Sequence, residues 1–338
     1  MKAMVLAAGL GTRLRPITYA IPKPMAPVLN RPVMEHILRL LASHGFTEAI
    51  ANLHWFPETI EGHFGDGSDF GIRLSYSHEE RLLGTAGGVR NVAPFLGDSF
   101  LVISGDALTD IDLAAMRAFH ESHDGIATLA TKRVEDTSQF GVAITGADGR
   151  IQGFQEKPVP AEALSDLANC GIYMFRSEIF DFFPPPGTSK AAKPDDPPGF
   201  ADWAMDVFPA LLEGDLPFYS HEIDAYWDDI GNIEELRRAN FDALRGAVDV
   251  DAGVPEVEPG IRSAVPLDGV EVEAPALIGA GVELGVGVRI QGPAIVGEGC
   301  LIADGAWVRD SILLAGAELP PAAILTGGIA GRIERSQS

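Results

Sequence analysis

The sequence predicts an α/β domain built on a mostly parallel sheet, followed by a parallel β-helix, and three observations carry that prediction. Apolar runs of strand length alternate with stretches of helical periodicity up to about residue 247, the pattern of a parallel sheet with crossover helices. The first run, Ala3 to Ala8, breaks at Gly9 and Gly11, so a glycine turn lies beyond the carboxyl end of the first strand, where α/β sheets bind ligands. From about Asp251 the texture changes, and Ile278, Leu284, Ile290, Val296, Ile302, Val308 and Leu314 recur every six residues, as in stacked hexapeptide coils. The expected domains are 1–247 and 248–338.

The 338 residues, 46% hydrophobic, suffice for one large core and a smaller second one. A net charge of -23 argues against a nucleic-acid or anionic-membrane surface, so any anionic ligand must enter a locally basic pocket. Cys170 and Cys300 lie far apart without C-x-x-C spacing, which indicates neither a disulfide framework nor a zinc site and fits a reducing cytoplasm. The apolar run after Lys2 meets Arg13 too soon for a signal peptide. No stretch approaches the roughly 20 apolar residues of a transmembrane helix.

Taken in order, Asn30 reads as the N-cap of a helix whose apolar positions Val33, Met34, Ile37, Leu38 and Leu41 run to a stop at Gly45. Ala49–Leu53 follows as a strand, Pro57–Phe64 as a helix and Ile72–Tyr76 as a strand. The turn Gly84-Thr85-Ala86-Gly87-Gly88 then opens a further helix. Phe100–Ile103 is a buried strand ending in SGDALTDID. There Asp106 can reach the crevice as a hard oxygen ligand for magnesium, whereas Asp112 caps the helix from Leu113. Ile126–Ala130 is a strand, and Phe140–Ile144 with Ile151–Phe154 reads as a hairpin laid over the sheet. The proline-rich run 184–199 reads as an inserted surface loop, and Ala204–Leu212 and Ile233–Leu244 as helices.

The loop after the first strand carries Thr12, Arg13, Arg15 and Lys23, with Pro22 and Pro24 holding Lys23 in an extended segment. Fixed cations beside a glycine turn suit a polyphosphate. GLGTRL has too few glycines for a dinucleotide fingerprint, and no G-x-x-x-x-G-K-[ST] occurs. His120-Glu-Ser-His123 lacks the spacing of a zinc protease and reads as a solvated helix end, and Ser104 has no nucleophile elbow.

LAAGLGTRLRP followed by PKPMAPV resembles the two-part signature of the sugar-1-phosphate nucleotidyltransferases, the NDP-sugar pyrophosphorylases. That resemblance implies a Rossmann-like, mostly parallel sheet in a nucleotidyltransferase domain, then a short left-handed β-helix of hexapeptide repeats. It implies a cytoplasmic enzyme joining a nucleoside triphosphate to a sugar 1-phosphate with release of pyrophosphate and use of Mg2+. By the same resemblance Arg13 and Lys23 stabilise the phosphates. Leu6, Ala8, Gly9, Gly11, Thr12, Gly84, Thr85 and Gly105 meet the nucleotide.

FGV…GRIQGFQEKP resembles the family's sugar-binding half, where Lys157 holds the sugar phosphate, Glu156 bonds hydroxyls, Gly141 leaves room for the ring and Asn169 faces the sugar. YWDDIG resembles W-x-D-[IVT]-G, placing Asp229 beside Asp106 as the second metal ligand and Asp228 behind it or at the surface. The GTAG turn, the tail and YWDDIG together look most like mannose-1-phosphate guanylyltransferases, which use GTP and make GDP-mannose. Glucose-1-phosphate uridylyl- and thymidylyltransferases share nearly every motif. A non-catalytic NDP-sugar-binding subunit is the alternative of another class, and retention of Arg13, Lys23 and both aspartates opposes it. No histidine follows His221, so acyltransfer in the tail is not expected and a structural role is; the resemblance implies that such a tail serves to form a homo-oligomer.

Overall fold

The structure, a computed structural model, describes residues 1–331. It divides into two compact units: Met1–Leu10, Ile37–Ala107 and Ile111–Trp227 form the first, and Gly11–His36, Leu108–Asp110 and the chain from Asp228 form the second. Among the described residues no helix is long and apolar enough to cross a membrane.

The main elements of the α/β part, in chain order, begin with β1 (Lys2–Leu6), α1 (Val33–Ser43), β2 (Glu48–Leu53), α2 (Pro57–Phe64) and β3 (Arg73–His78). They continue with α3 (Gly84–Asn91), β4 (Ser99–Ser104), α4 (Leu113–Glu121) and β5 (Ala127–Arg133). Last come β6 (Gly141–Thr145), β7 (Ile151–Glu156), β8 (Leu167–Arg176) and β9 (Phe218–Glu222).

The strand order is β7-β6-β8-β4-β1-β2-β3, with β5 on β8 and β9 on β5. Strands β1 to β4 are parallel, and β4 returns to the opposite side of β1 from β2. The order therefore reverses between β1 and β4, which opens a crevice at their carboxyl ends. Strand β8 runs antiparallel to β4 and β5. Ala3, Met4 and Val5 and all of Phe100–Ile103 are fully buried, which is why these strands read as unbroken apolar runs. The core is closed by stacked aromatics, with the rings of Phe175 and Trp203 4.5 Å apart.

Several expectations are corrected. Asn30 is not a helix cap: Leu29 and Asn30 both have positive φ and form the two-residue turn of a small hairpin, Pro27–Val28 with Arg31–Pro32. Two left-handed residues match the twist of such a hairpin. The pair β6–β7 does not lie over the sheet but continues its edge through β8. The helix expected from Ala204 opens as a π turn, Trp203–Val207, because the Asp202 side chain accepts from the N–H groups of Ala204 and Met205 and starts the coil one residue early. The helix following the glycine turn begins within it, at Gly84. Asp112 caps α4 as expected, accepting from Ala115 N–H at 2.9 Å.

In the second unit, α5 (Ile233–Leu244) is capped by Asn232, whose side chain accepts from the N–H groups of Glu234 and Glu235. Beyond it β10 (Ala276–Ile278), β11 (Arg289–Val296) and β12 (Trp307–Leu313) stack in parallel. Three internal ladders run through the coils: Ile278, Val296 and Leu313; Leu284, Ile302 and Leu319; Ile290 and Val308. A spacing of six visits the three sides in turn, so the partner on the next coil lies eighteen residues on.

The expected seventh member, Leu314, departs from that rule. One residue is missing opposite Gly292-Pro293, where Asp310 takes φ 48, so Leu313 fills the ladder and Leu314 is only half-buried. Arg237 of α5 donates to the Asp310 carbonyl at 3.0 Å and pairs with its carboxylate, fastening the helix to that shortened coil.

His120 is buried rather than solvated: its Nδ1 lies 2.9 Å from Thr128 Oγ1, and its Nε2 has no hydrogen-bond partner among the described residues. Burial, with the nearby Arg176 guanidinium, pushes it down to about 4. Its folded value lies below the unfolded one, so its contribution is complete above about pH 6.5 and is lost as pH falls toward 4. Between pH 7 and pH 5 the native protein should lose about 1–2 kcal/mol more unfolding free energy than a His120→Gln variant, as read by denaturant titration at both pH values.

Candidate active site

In the first unit, candidate residues gather at the carboxyl ends of β1 and β4. Leu6 pairs with Ser104 across the two strands. Gly105 N–H then donates to the Leu6 carbonyl at 2.9 Å, extending the pairing by one residue past the strand. A Cβ on Gly105 would sit 2.9 Å from that carbonyl oxygen and 3.0 Å from Val5 Cγ1, so only glycine lets the chain pass. The next residue, Asp106, is half-buried, with Oδ1 accepting from Ser104 Oγ at 2.6 Å. On the β1 side Ala8 is buried and Gly9 exposed, with nothing within 4 Å of the place its Cβ would take.

Gly84 and Thr85 begin α3 against the segment after the inserted loop. Gly84 has φ 76, and a Cβ there would meet the Ala201 carbonyl at 2.5 Å. Thr85 is exposed, but its hydroxyl is engaged: it donates to Asp202 Oδ2 at 2.8 Å and accepts from Trp203 N–H at 3.1 Å. Arg90 of α3 donates to the carbonyls of Pro184 and Gly199, pinning both ends of the loop.

Four expected sugar-phosphate residues also lie in this unit. Gly141 opens β6 opposite Glu156, whose Oε2 would be 3.1 Å from an added Cβ. Lys157 follows at φ 47, exposed, with Nζ 3.7 Å from Glu156 Oε1 and its N–H donating to the Phe140 carbonyl. A lysine in the left-handed region is an uncommon, strained conformation of the kind that clusters at functional sites. Asn169 donates to Tyr173 Oη at 3.0 Å and accepts from Gly171 N–H at 3.1 Å, across an irregularity in β8.

The second unit carries its own set of candidate residues. Gly11 is left-handed at φ 59, and its carbonyl accepts from Thr18 Oγ1 at 2.8 Å. A Cβ on it would crowd Thr18 and Lys23. Thr12 and Arg13 are exposed in the 3-10 turn Thr12–Leu14. The Arg13 guanidinium lies over Gly231, close enough that a Cβ there would be 3.1 Å from Nη2.

Lys23 is not in an extended segment. Only Pro22 is extended, and Lys23–Met25 is itself a 3-10 turn, because Pro24 fits an early turn position and Met25 N–H reaches the Pro22 carbonyl. That turn buries the Lys23 stem and sets its Nζ 3.2 Å from Asp229 Oδ1. Asp228, expected behind the site or at the surface, is buried and takes two hydrogen bonds from Arg238, at 2.6 and 3.0 Å. Burial pushes its carboxyl up, and the guanidinium opposes the shift. Among the described residues no group of three or more His, Cys, Asp or Glu side chains converges as a metal cage.

Comparison with known proteins adds the chemistry. A family model described as "Nucleotidyl transferase" matches residues 2–246. A UTP–glucose-1-phosphate uridylyltransferase of Synechocystis is 40% identical, over 96% of this chain and 86% of its own. A mannose-1-phosphate guanylyltransferase of Mycobacterium tuberculosis is 35% identical, over 84% and 77%. A solved structure from Bacillus anthracis, described as a glucose-1-phosphate thymidylyltransferase, superposes with a TM-score of 0.63 at 27% identity, covering 74% of this chain and 96% of that one.

The two glycines after the strands make different demands. Gly105→Ala should lower the unfolding free energy by about 1–3 kcal/mol, whereas Gly9→Ala, with open space around it, should leave it within about 0.5 kcal/mol. Denaturant unfolding of the two variants checks both.

Proposed function

Because the chain belongs to the nucleotidyl transferase family, we propose that it joins a nucleoside triphosphate to a sugar 1-phosphate and releases pyrophosphate. The observation that carries the reading is the Lys23–Asp229 contact: a cation and a carboxylate from motifs 206 residues apart meet at 3.2 Å. In the proposed reaction a phosphate oxygen of the sugar 1-phosphate attacks the α-phosphorus, the new P–O bond forms in line, and the bond to the β-phosphate oxygen breaks. Little covalent chemistry falls to the protein, so its work is placement and charge stabilisation.

Arg13 and Lys23 then stabilise the α-phosphate and the departing pyrophosphate. The strained Lys157 fixes the attacking phosphate, with Glu156 and Asn169 on the sugar hydroxyls and Gly141 leaving room for the ring. Leu6, Ala8, Gly9, Gly11, Thr12 and Gly105 meet the nucleotide largely through the backbone. Gly84 and Thr85 do so as well, since the Thr85 hydroxyl is already committed to Asp202.

By the family resemblance Asp106 and Asp229 would hold Mg2+: each offers a hard carboxylate, and an ion that keeps waters and takes substrate phosphates needs no all-protein cage. When bound, magnesium would neutralise charge on the triphosphate. The relative that matches 96% of the chain supports UTP with glucose 1-phosphate. The GTAG turn, YWDDIG and the mycobacterial relative support GTP with mannose 1-phosphate. Few pocket contacts separate the two pairs.

Pyrophosphate release with magnesium, over the common nucleoside triphosphates against mannose, glucose, galactose and N-acetylglucosamine 1-phosphates, tests the reading. One strong UTP–glucose or GTP–mannose combination is expected, and an empty grid overturns the proposal. Arg13→Ala should cut kcat about 100- to 1,000-fold with the melting temperature unchanged; unaltered turnover removes its role. Asp229→Asn should raise the magnesium concentration needed for half-maximal rate by about tenfold or more, as read from a metal titration.

A further inference from the structure

Two buried polar residues join the turns assigned above to the nucleotide. Asn52 stands near the end of β2, in a strand whose neighbours Ala49, Ile50, Ala51 and Leu53 are all buried and apolar, and it is itself only 3% exposed. Glu79 follows β3 directly and is 6% exposed, its N–H donating to the Leu53 carbonyl at 2.8 Å. Asn52 Nδ2 donates to Glu79 Oε1 at 2.8 Å. The other ends of both side chains reach backbone: Asn52 Oδ1 accepts from Ala7 N–H at 2.8 Å, and Glu79 Oε2 from Leu83 N–H at 2.9 Å. Ala7 leads into the Gly9 turn, and Leu83 immediately precedes Gly84. Gly88 of α3 closes over the pair so tightly that a Cβ would lie 2.7 Å from Glu79 Oε1 and 2.8 Å from Asn52 Nδ2.

We infer that Asn52 and Glu79 are positioning residues which set the spacing between the Ala7–Gly9 turn and the Gly84–Thr85 turn, so that nucleotide affinity depends on a pair acting through the backbone. The inference rests on the assignment of both turns to the nucleoside triphosphate. A carboxylate with no partner at this depth would be costly, and here each polar atom of the chain Ala7–Asn52–Glu79–Leu83 has a partner. Cutting any link leaves a buried donor or acceptor unsatisfied and frees one turn from the other.

The hydrogen-bond pattern permits a reciprocal test. Asn52→Asp sets a second carboxylate against Glu79. Glu79→Gln sets an amide nitrogen against that of Asn52 or leaves Leu83 N–H without an acceptor. In the double variant the carboxylate introduced at position 52 accepts from Ala7 N–H and from the amide nitrogen introduced at position 79. The oxygen of that same amide accepts from Leu83 N–H, and every link is restored with the middle one reversed.

Each single variant should raise the nucleotide KM and equilibrium Kd about tenfold, leaving the sugar 1-phosphate KM within about twofold, and the double variant should return the nucleotide values to within about threefold of wild type. Gly88→Ala, which pushes on the pair from outside, should weaken nucleotide binding in the same direction and serves where a single variant does not fold. Variants with lowered melting temperature but normal nucleotide Kd overturn the inference, because the pair is then merely structural. So does a double variant no better than the singles, or a change of nucleotide preference confined to Glu79→Gln, which would place that side chain on the base. Direct nucleotide binding separates this from the proposed reaction. A wild type that binds nucleotide, transfers it to no sugar 1-phosphate and shows the reciprocal pattern refutes the reaction alone, and one that binds no nucleotide refutes both.

Discussion

The parallel pairing of β1 between β2 and β4 is the constraint on which the rest of the first unit depends. With Ala3, Met4 and Val5 fully buried and hydrogen-bonded on both sides, the strand has no freedom of register, since a shift by one residue would turn its side chains to the wrong faces. Leu6 therefore ends level with Ser104, and the Gly105 N–H closes on the Leu6 carbonyl. The chain leaves β1 and β4 at one level, and the strand order reverses between them. Gly9 and Asp106 stand at that reversal because the sheet delivers them there, at the position where α/β sheets bind ligands.

The second unit solves a different problem, that of holding a proline-rich loop in one conformation. Short 3-10 turns and a small hairpin shape the loop, and polar contacts fasten it. Asn240 of α5 accepts from Leu29 N–H and donates to the Pro27 carbonyl, while Asn30 donates to the Val296 carbonyl of β11. The same helix is fastened to the coil at Asp310 through Arg237. The loop carrying Arg13 and Lys23 thus shares a compact unit with the β-helix and α5. The β-helix contributes order to that loop as well as its own stacked core.

Much of the fold was legible because periodicity survives in a linear text. The apolar runs of β1 and β4, the heptad-like stripe of α1 and the six-residue recurrence of the coils each follow from a repeat that the backbone geometry imposes. The six-residue rule failed only at Leu314, where one deleted residue at Asp310 moved the inward position to Leu313. Asn30 misled because asparagine suits both a helix cap and a left-handed turn, and the choice was made by the small hairpin around it. His120 looked solvated in a polar tetrapeptide, yet the turn of α4 aims it at Thr128 in the interior.

By itself the sequence determined the α/β class, the coiled tail, the glycine turns after β1 and before α3, and which cations and carboxylates its motifs carry. These are local properties: each depends on a short run of residues and on the periods of helix, strand and coil. Only the tertiary structure decided that Lys23 sits in a tight turn against Asp229, that the Thr85 hydroxyl is spent on Asp202, and that Asn52 and Glu79 tie two turns together from within. Those pairings join residues that no motif spans. A hydrogen bond formed between the ends of neighbouring strands leaves no period in the chain, and it exists only once the sheet has brought them level.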